Sequence, residues 1–124
     1  YCLRQAIDNG TIVIHGDGGQ TRDYVYIDDV VDAMRKAATT PNINRLIINV
    51  GSGEDTSVND VVKKVLEVTG KKPQIVQNKT HDSGPSRMRA DIALAKEKLD
   101  FTPKFNLEQG LRETIARDAR FQPK

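Results

Sequence analysis

A chain of 124 residues with a formal net charge of +2 has room for one domain or part of one. It lacks the charge imbalance that marks nucleic-acid or anionic-membrane binders. Apolar residues make up 37% with 5% aromatic and no Trp, which predicts an aliphatic core, and the single cysteine, Cys2, excludes an internal disulfide or a multi-cysteine zinc site. No apolar run is long enough to span a bilayer and no signal peptide opens the chain, so a cytoplasmic location is the default expectation.

Tyr1-Cys2-Leu3-Arg4 reads as the middle of a helix already under way, with Leu3, Ala6 and Ile7 on one face and Asn9-Gly10 as its stop. That opening suggests a fragment of something larger. Thr11 to His15 is β-branched and short, a strand. A glycine-rich turn (Gly16, Gly18, Gly19) follows, then Thr21-Arg22-Asp23 and an alternating strand over 24–27. Asp28 and Asp29 stand where an N-cap belongs, before a helix carrying Val30, Val31, Ala33, Met34, Ala37 and Ala38.

Leu46 to Val50 is a nearly continuous apolar run, the pattern of a strand buried on both faces. Ser57 with Asp60 predicts a capped helix with a Val58, Val61, Val62, Val65, Leu66 stripe, closed at Gly70. Residues 73–77 form a short strand, and 78–89, with Gly84-Pro85, a polar loop. Asp91 caps the next helix, which Phe101-Thr102-Pro103 breaks. Asn106 with Gln109 opens the last one, bearing Leu107, Leu111 and Ile115 and running out into a tail. Alternating helices and strands make the fold class α/β, with about five helices and small mixed sheet elements.

Arg22 at the mouth of the glycine turn is the first candidate for chemistry, because its planar fork matches the acceptor oxygens of a phosphate. The plainer fate is pairing with Asp23 or Asp28. Arg87 and Arg89, around Met88, read on the residues alone as solvated loop arginines. His15 and His81 lie far apart without a clear carboxylate partner, and make neither a metal site nor a triad. Val50-Gly51-Ser52-Gly53 imitates a dinucleotide fingerprint, but Thr56 replaces its third glycine and Glu54 and Asp55 would repel a pyrophosphate. It reads as a strand-to-helix turn.

The run Gly16-Asp17-Gly18, Gln20, Arg22-Asp23-Tyr24-Val25-Tyr26-Ile27-Asp28-Asp29-Val30-Val31-Asp32-Ala33 resembles a segment of the nucleotide-sugar epimerases and dehydratases, the extended short-chain dehydrogenase/reductases. The likeness continues through Ile48 to Gly53, Ala90-Asp91 and Leu107 to Thr114. It implies that residues 1–124 are the C-terminal sugar-nucleotide-binding domain of such an enzyme, without its N-terminal Rossmann core. It further implies Arg22 on the nucleotide's phosphates, Ile14 and His15 meeting the base largely through backbone, and Arg87 in a loop closing over the nucleotide. The loop departs from the family's commoner Arg-Pro-Gly-Asp form, with His81-Asp82-Ser83-Gly84 in its place.

In the parent enzyme the resemblance implies NAD or NADP, transient oxidation of the sugar, then epimerisation (an isomerase) or loss of water (a lyase), in a homodimer. No Tyr in the chain is followed four residues on by Lys, the family's proton-transfer pair, and the glycine-rich cofactor loop is missing. No catalytic residue, no metal ligand and no cofactor bound by this chain alone are therefore expected. The alternative is a non-catalytic ligand-binding or assembly module on the same scaffold. A further expectation is that the isolated chain either self-associates, through Leu46 to Val50 or an exchanged element, or is only marginally stable, since an uncovered apolar edge invites pairing.

Overall fold

The computed structural model describes residues 1–80 and 86–122. In chain order these form α1 (Cys2–Ile7), β1 (Thr11–His15), β2 (Thr21–Arg22), α2 (Ile27–Thr39), β3 (Thr56–Ser57), α3 (Val58–Thr69), β4 (Gln74–Asn78), α4 (Ala93–Leu99) and α5 (Leu107–Arg117), with a 3-10 turn at Ala119–Phe121. The expected mixture of five helices with small parallel and antiparallel pairs is present among the described residues. His81 to Pro85, the part of the polar loop holding the family departure, lies outside them.

β1 pairs with β4 in parallel, from Thr11 opposite Gln74 to His15 opposite Asn78. Alternation along β1 turns Ile12 and Ile14 inward, onto Leu3 and Ala6 of α1 and Val62 and Val65 of α3. α3 packs between α1 and α5, because its stripe repeats at helical spacing and is held at both ends. The Ser57 hydroxyl accepts from the Asp60 amide, and Gly70 ends the helix at φ 64°. α5 starts with a complete capping box between Asn106 and Gln109.

A second cluster joins Ala33 of α2 to Ile92, Ala95, Leu99 and Phe101 around α4, with Ile48 and Val50 packed against it. Its centre is the fully buried Phe101, so the core is not purely aliphatic as composition suggested.

Four expectations need correction. Residues 24–27 are not a strand: Tyr24 to Tyr26 belong to no ladder, and Ile27 already begins α2. Asp28 and Asp29 sit in the first turn of α2, not at its cap. Asp29 is 1% exposed and accepts from the amides of Lys104 (2.9 Å) and Phe105 (3.1 Å), a long-range tie that competes with capping. Asp91 stands one residue ahead of the N-cap of α4, though its carboxylate still accepts from the Ala93 amide.

The fourth correction is Leu46 to Val50, which forms no strand and leaves Ile47 91% exposed. A continuous apolar run becomes a strand only where neighbouring strands supply its hydrogen bonds, and none lies beside it among the described residues. Ile27, Val31 and Met34, at helical spacing on α2, are likewise exposed. The apolar side of this helix extends well beyond what the described residues cover.

Candidate functional site

The site is assembled around β2. One edge of β2 pairs antiparallel with β3, Thr21 opposite Ser57 and Arg22 opposite Thr56. At Thr21 the backbone also meets 86–88: its amide donates to the Ser86 carbonyl (2.9 Å), and its carbonyl accepts from the Met88 amide (3.2 Å). This exchange sets Arg22 and Arg87 on adjoining extended segments, although they are far apart in sequence.

The glycine turn before β2 is fixed by α3. The Asn59 amide donates to the Gly18 carbonyl and the Asn59 side chain donates to the Asp17 carbonyl. Gly18 has φ +76°, and a Cβ there would lie 2.1 Å from Asn59 Oδ1. The close approach that this glycine permits is therefore to the chain's own helix.

A cleft of about 590 Å³ opens beside these segments, lined by Arg22, Asp23, Asn49, Val50, Arg87, Met88, Arg89, Ala90 and Asp91. Three arginines line one space, a concentration of positive charge that suits a ligand with several anionic oxygens. Arg22 is half-buried, and its Nη1 donates to the Thr21 carbonyl (2.7 Å). Arg87 is largely exposed, and its Nε and Nη2 both donate to Asp55 Oδ2, at 3.0 and 2.8 Å. The Arg87 guanidinium, helped by the Thr21 hydroxyl, holds the Asp55 carboxyl below its ordinary value.

Both carboxylates that might have claimed Arg22 have other donors. Asp28 accepts from Arg117 (2.6 Å). Asp23 accepts from the amide and hydroxyl of Ser52 (both 2.7 Å) and from the amides of Gly53 (3.0 Å) and Ala90 (3.2 Å). Burial pushes the Asp23 carboxyl up, but the Ser52, Ala90 and Gly53 donors outweigh it and the net shift is downward.

The same geometry answers the question of the Gly51-Ser52-Gly53 turn. Its outward amides are filled by the Asp23 carboxylate, and a Cβ on Gly51 would lie 2.7 Å from Asp23 Oδ2. The turn binds an anion from its own chain and does not fit a cofactor pyrophosphate.

Ile14 and His15 are not brought to the cleft. Ile14 is 4% exposed and its side chain belongs to the first core cluster, so only its backbone is available. His15 ends β1 with an exposed side chain, and its carbonyl accepts from Gln20 Nε2 (2.9 Å).

Sequence reasoning weighed Asp23 only as an ion-pair partner for Arg22 and treated Asp55 only as a charge hostile to pyrophosphate. Their partners are 29 to 67 residues distant, and the sole local signal was an acid directly following the candidate arginine.

A sequence profile of the GDP-mannose 4,6 dehydratase family matches residues 2–114. The chain belongs to the nucleotide-sugar epimerase and dehydratase family. Among characterised members, it is 34% identical over 120 residues to the UDP-N-acetyl-alpha-D-glucosaminuronate decarboxylase of Bacillus cytotoxicus, covering 91% of this chain and 37% of that protein. It is 33% identical over 117 residues to GDP-mannose 3,5-epimerase of Arabidopsis thaliana, covering 92% and 29%.

The crystal structure of a UDP-glucose 4-epimerase from Thermotoga maritima with UDP-glucose superposes with a TM-score of 0.85 and 34% identity, over 93% of this chain and 37% of that one. UDP-glucuronic acid 4-epimerase from Bacillus cereus, in complex with UDP-glucuronic acid and NAD, gives 0.81 and 32%, over 89% and 35%. This family member thus spans about a third of the length of the relatives it matches, and no helix among its described residues is long and apolar enough to cross a membrane.

The carboxylates at the site make an acid limb predictable. Asp23 and Asp55 titrate in the folded chain below their ordinary value of 3.8, and Asp118, held by the Arg120 guanidinium, falls to about 2. Depressed pKa values stabilise the fold above the unfolded value, and this contribution is lost as pH falls through the folded ones. Melting temperature should be level from pH 7 to pH ~5 and decline below pH ~4. In Asp23→Asn the decline should be shallower, and thermal melts across this range measure it.

Proposed function

We propose that this chain is the C-terminal, sugar-nucleotide-binding portion of an NAD(P)-dependent epimerase or dehydratase, and that it grips the substrate's diphosphate. The observation that carries the reading is the placement of Arg22 and Arg87 on adjoining segments at one cleft, with Arg89 on the same wall. In this reading Ile14 and His15 present backbone to the base, and hydride and proton transfer belong to residues outside these 124. NAD(P) is held there too, because the one glycine turn that imitates its site is filled by Asp23.

Arg22→Ala in the full-length enzyme should weaken binding of the nucleotide sugar by about 1.5–3 kcal/mol, the range for a hydrogen bond to a charged group. Arg22→Lys should recover only part of this, since an ammonium cannot make the bidentate fork. Calorimetric titration with UDP- and GDP-sugars is the measurement. Unchanged dissociation constants in Arg22→Ala would remove the diphosphate from this cleft.

The exposed apolar residues of α2 and of Leu46 to Val50 support the same reading, as surface awaiting the remainder of a larger enzyme. On its own the chain should self-associate through this surface, which sedimentation velocity at increasing concentration would show. A monomer at all concentrations with Leu46 to Val50 protected from exchange would contradict it.

A further inference from the structure

The cleft is built from three stretches remote in sequence: Arg22 and its neighbours, the turn following Asn49 and Val50, and the Arg87–Asp91 segment. One side chain touches all three junctions. Asp23 is adjacent to Arg22 and receives the Ser52 amide and hydroxyl on Oδ1. Its Oδ2 receives the Gly53 and Ala90 amides. All four donors converge on this single carboxylate, three from the second stretch and one from the third.

There is little slack at the junction. A Cβ on Gly51 would meet Ala90 Cβ and Asp23 Oδ2 at 2.7 Å each, and Gly53 holds φ +76° with Ile92 against it. Resting on the reading of the cleft as a diphosphate site, we propose that Asp23 is a positioning residue that fixes the separation of Arg22 and Arg87. A guanidinium pair recognises a diphosphate only at matched spacing, and a displacement of an ångström costs hydrogen bonds at both ends. Asp23 touches no ligand in this scheme. With its oxygens saturated by four donors, its charge is turned inward, away from the phosphates it would otherwise repel.

The test compares UDP with uridine, since the nucleoside lacks the diphosphate that the arginines read. The full-length enzyme and its Asp23→Asn and Ser52→Ala variants are each titrated with both probes, well below their melting temperatures. Asp23→Asn should lose about tenfold in UDP affinity, equal to about 1.4 kcal/mol, with uridine affinity unchanged. Ser52→Ala, which removes one donor and leaves the other three, should lose about twofold to threefold for UDP alone.

A purely structural Asp23 would lower the melting temperature and leave the UDP-to-uridine ratio where it is, and that result in the folded variants overturns the proposal. If Asp23→Asn does not fold, the Ser52→Ala ratio decides in the same way. A wild-type chain with no preference for UDP over uridine would instead remove the diphosphate reading itself, and this inference with it.

Discussion

Phe101→Ala should lower the unfolding free energy by about 3–5 kcal/mol, the range for truncating a buried phenyl ring. Phe101 is 0% exposed and lies among Ala33, Ile92, Ala95 and Leu99, with its amide donating to the Ala95 carbonyl. Two of these neighbours are alanines and the others are branched residues held at α4 and its N-cap, so the space cannot readily close around the loss. A domain of this size has about 5–15 kcal/mol in total, and the variant should sit near its midpoint at low urea. Ile47→Ala is the control: at 91% exposure it should change stability by less than about 0.5 kcal/mol. Equal losses in the two variants would mean that the second cluster is not a packed core.

Asp29→Ala should cost about 1–3 kcal/mol, because it leaves the part-buried amides of Lys104 and Phe105 without their acceptor. The tie also orients Phe105, whose ring centroid lies 4.6 Å from that of Tyr26. Tyr26 in turn fills the space above Gly110 of α5. Losing Asp29 therefore loosens the approach of α5 to α2 as well as the loop itself. Asp29→Asn keeps one acceptor oxygen and should lose about half as much. Urea denaturation of the three proteins measures the series. An Asp29→Asn variant as damaged as Asp29→Ala would show that charge, and not the count of acceptors, sustains the tie.

What the sequence made legible was local. The Ser57 cap, the Asn106–Gln109 box and the left-handed stop at Gly70 involve partners within four residues, where side-chain chemistry and spacing decide the outcome. The period-two burial of Ile12 and Ile14 was readable for the same reason. Asp29 was misread because an acid in a first helical turn looks like a cap, while its acceptors' true partners are 75 and 76 residues away. Asp23 was weighed only as a partner for Arg22, since nothing nearby betrays four converging donors. For Leu46 to Val50 the apolar pattern was read correctly, but a strand needs neighbours that no property of the segment can supply.

Within the candidate site, the arginines were visible as chemistry and their meeting was not. Arg22 and Arg87 stand together because Thr21 exchanges backbone hydrogen bonds with Ser86 and Met88. Backbone pairing of this kind leaves little trace in residue type. The burial of Ile14 was equally readable, yet the family likeness drew attention to it as a ligand contact, where only its backbone remains eligible.

The parallel pairing of β1 with β4 also bears on how the chain reaches its folded state. Thr11 and Gln74 are 63 residues apart, against the few that separate strands in a hairpin. Four doublings of loop length raise the closure entropy by about 2.4 kcal/mol, at about 0.6 kcal/mol each. That cost falls before any ladder bond offsets it, so contact order works against early formation of this pair. The segment between them contains α3, whose cap and stripe are local and form quickly. Ile12 and Ile14 then dock on Val62 and Val65, and β4, which follows α3 after a short turn at Gly70, is delivered to the edge of β1. The helix acts as the template on which the two strands meet, and the rate of folding should follow the stability of α3 more closely than that of either strand.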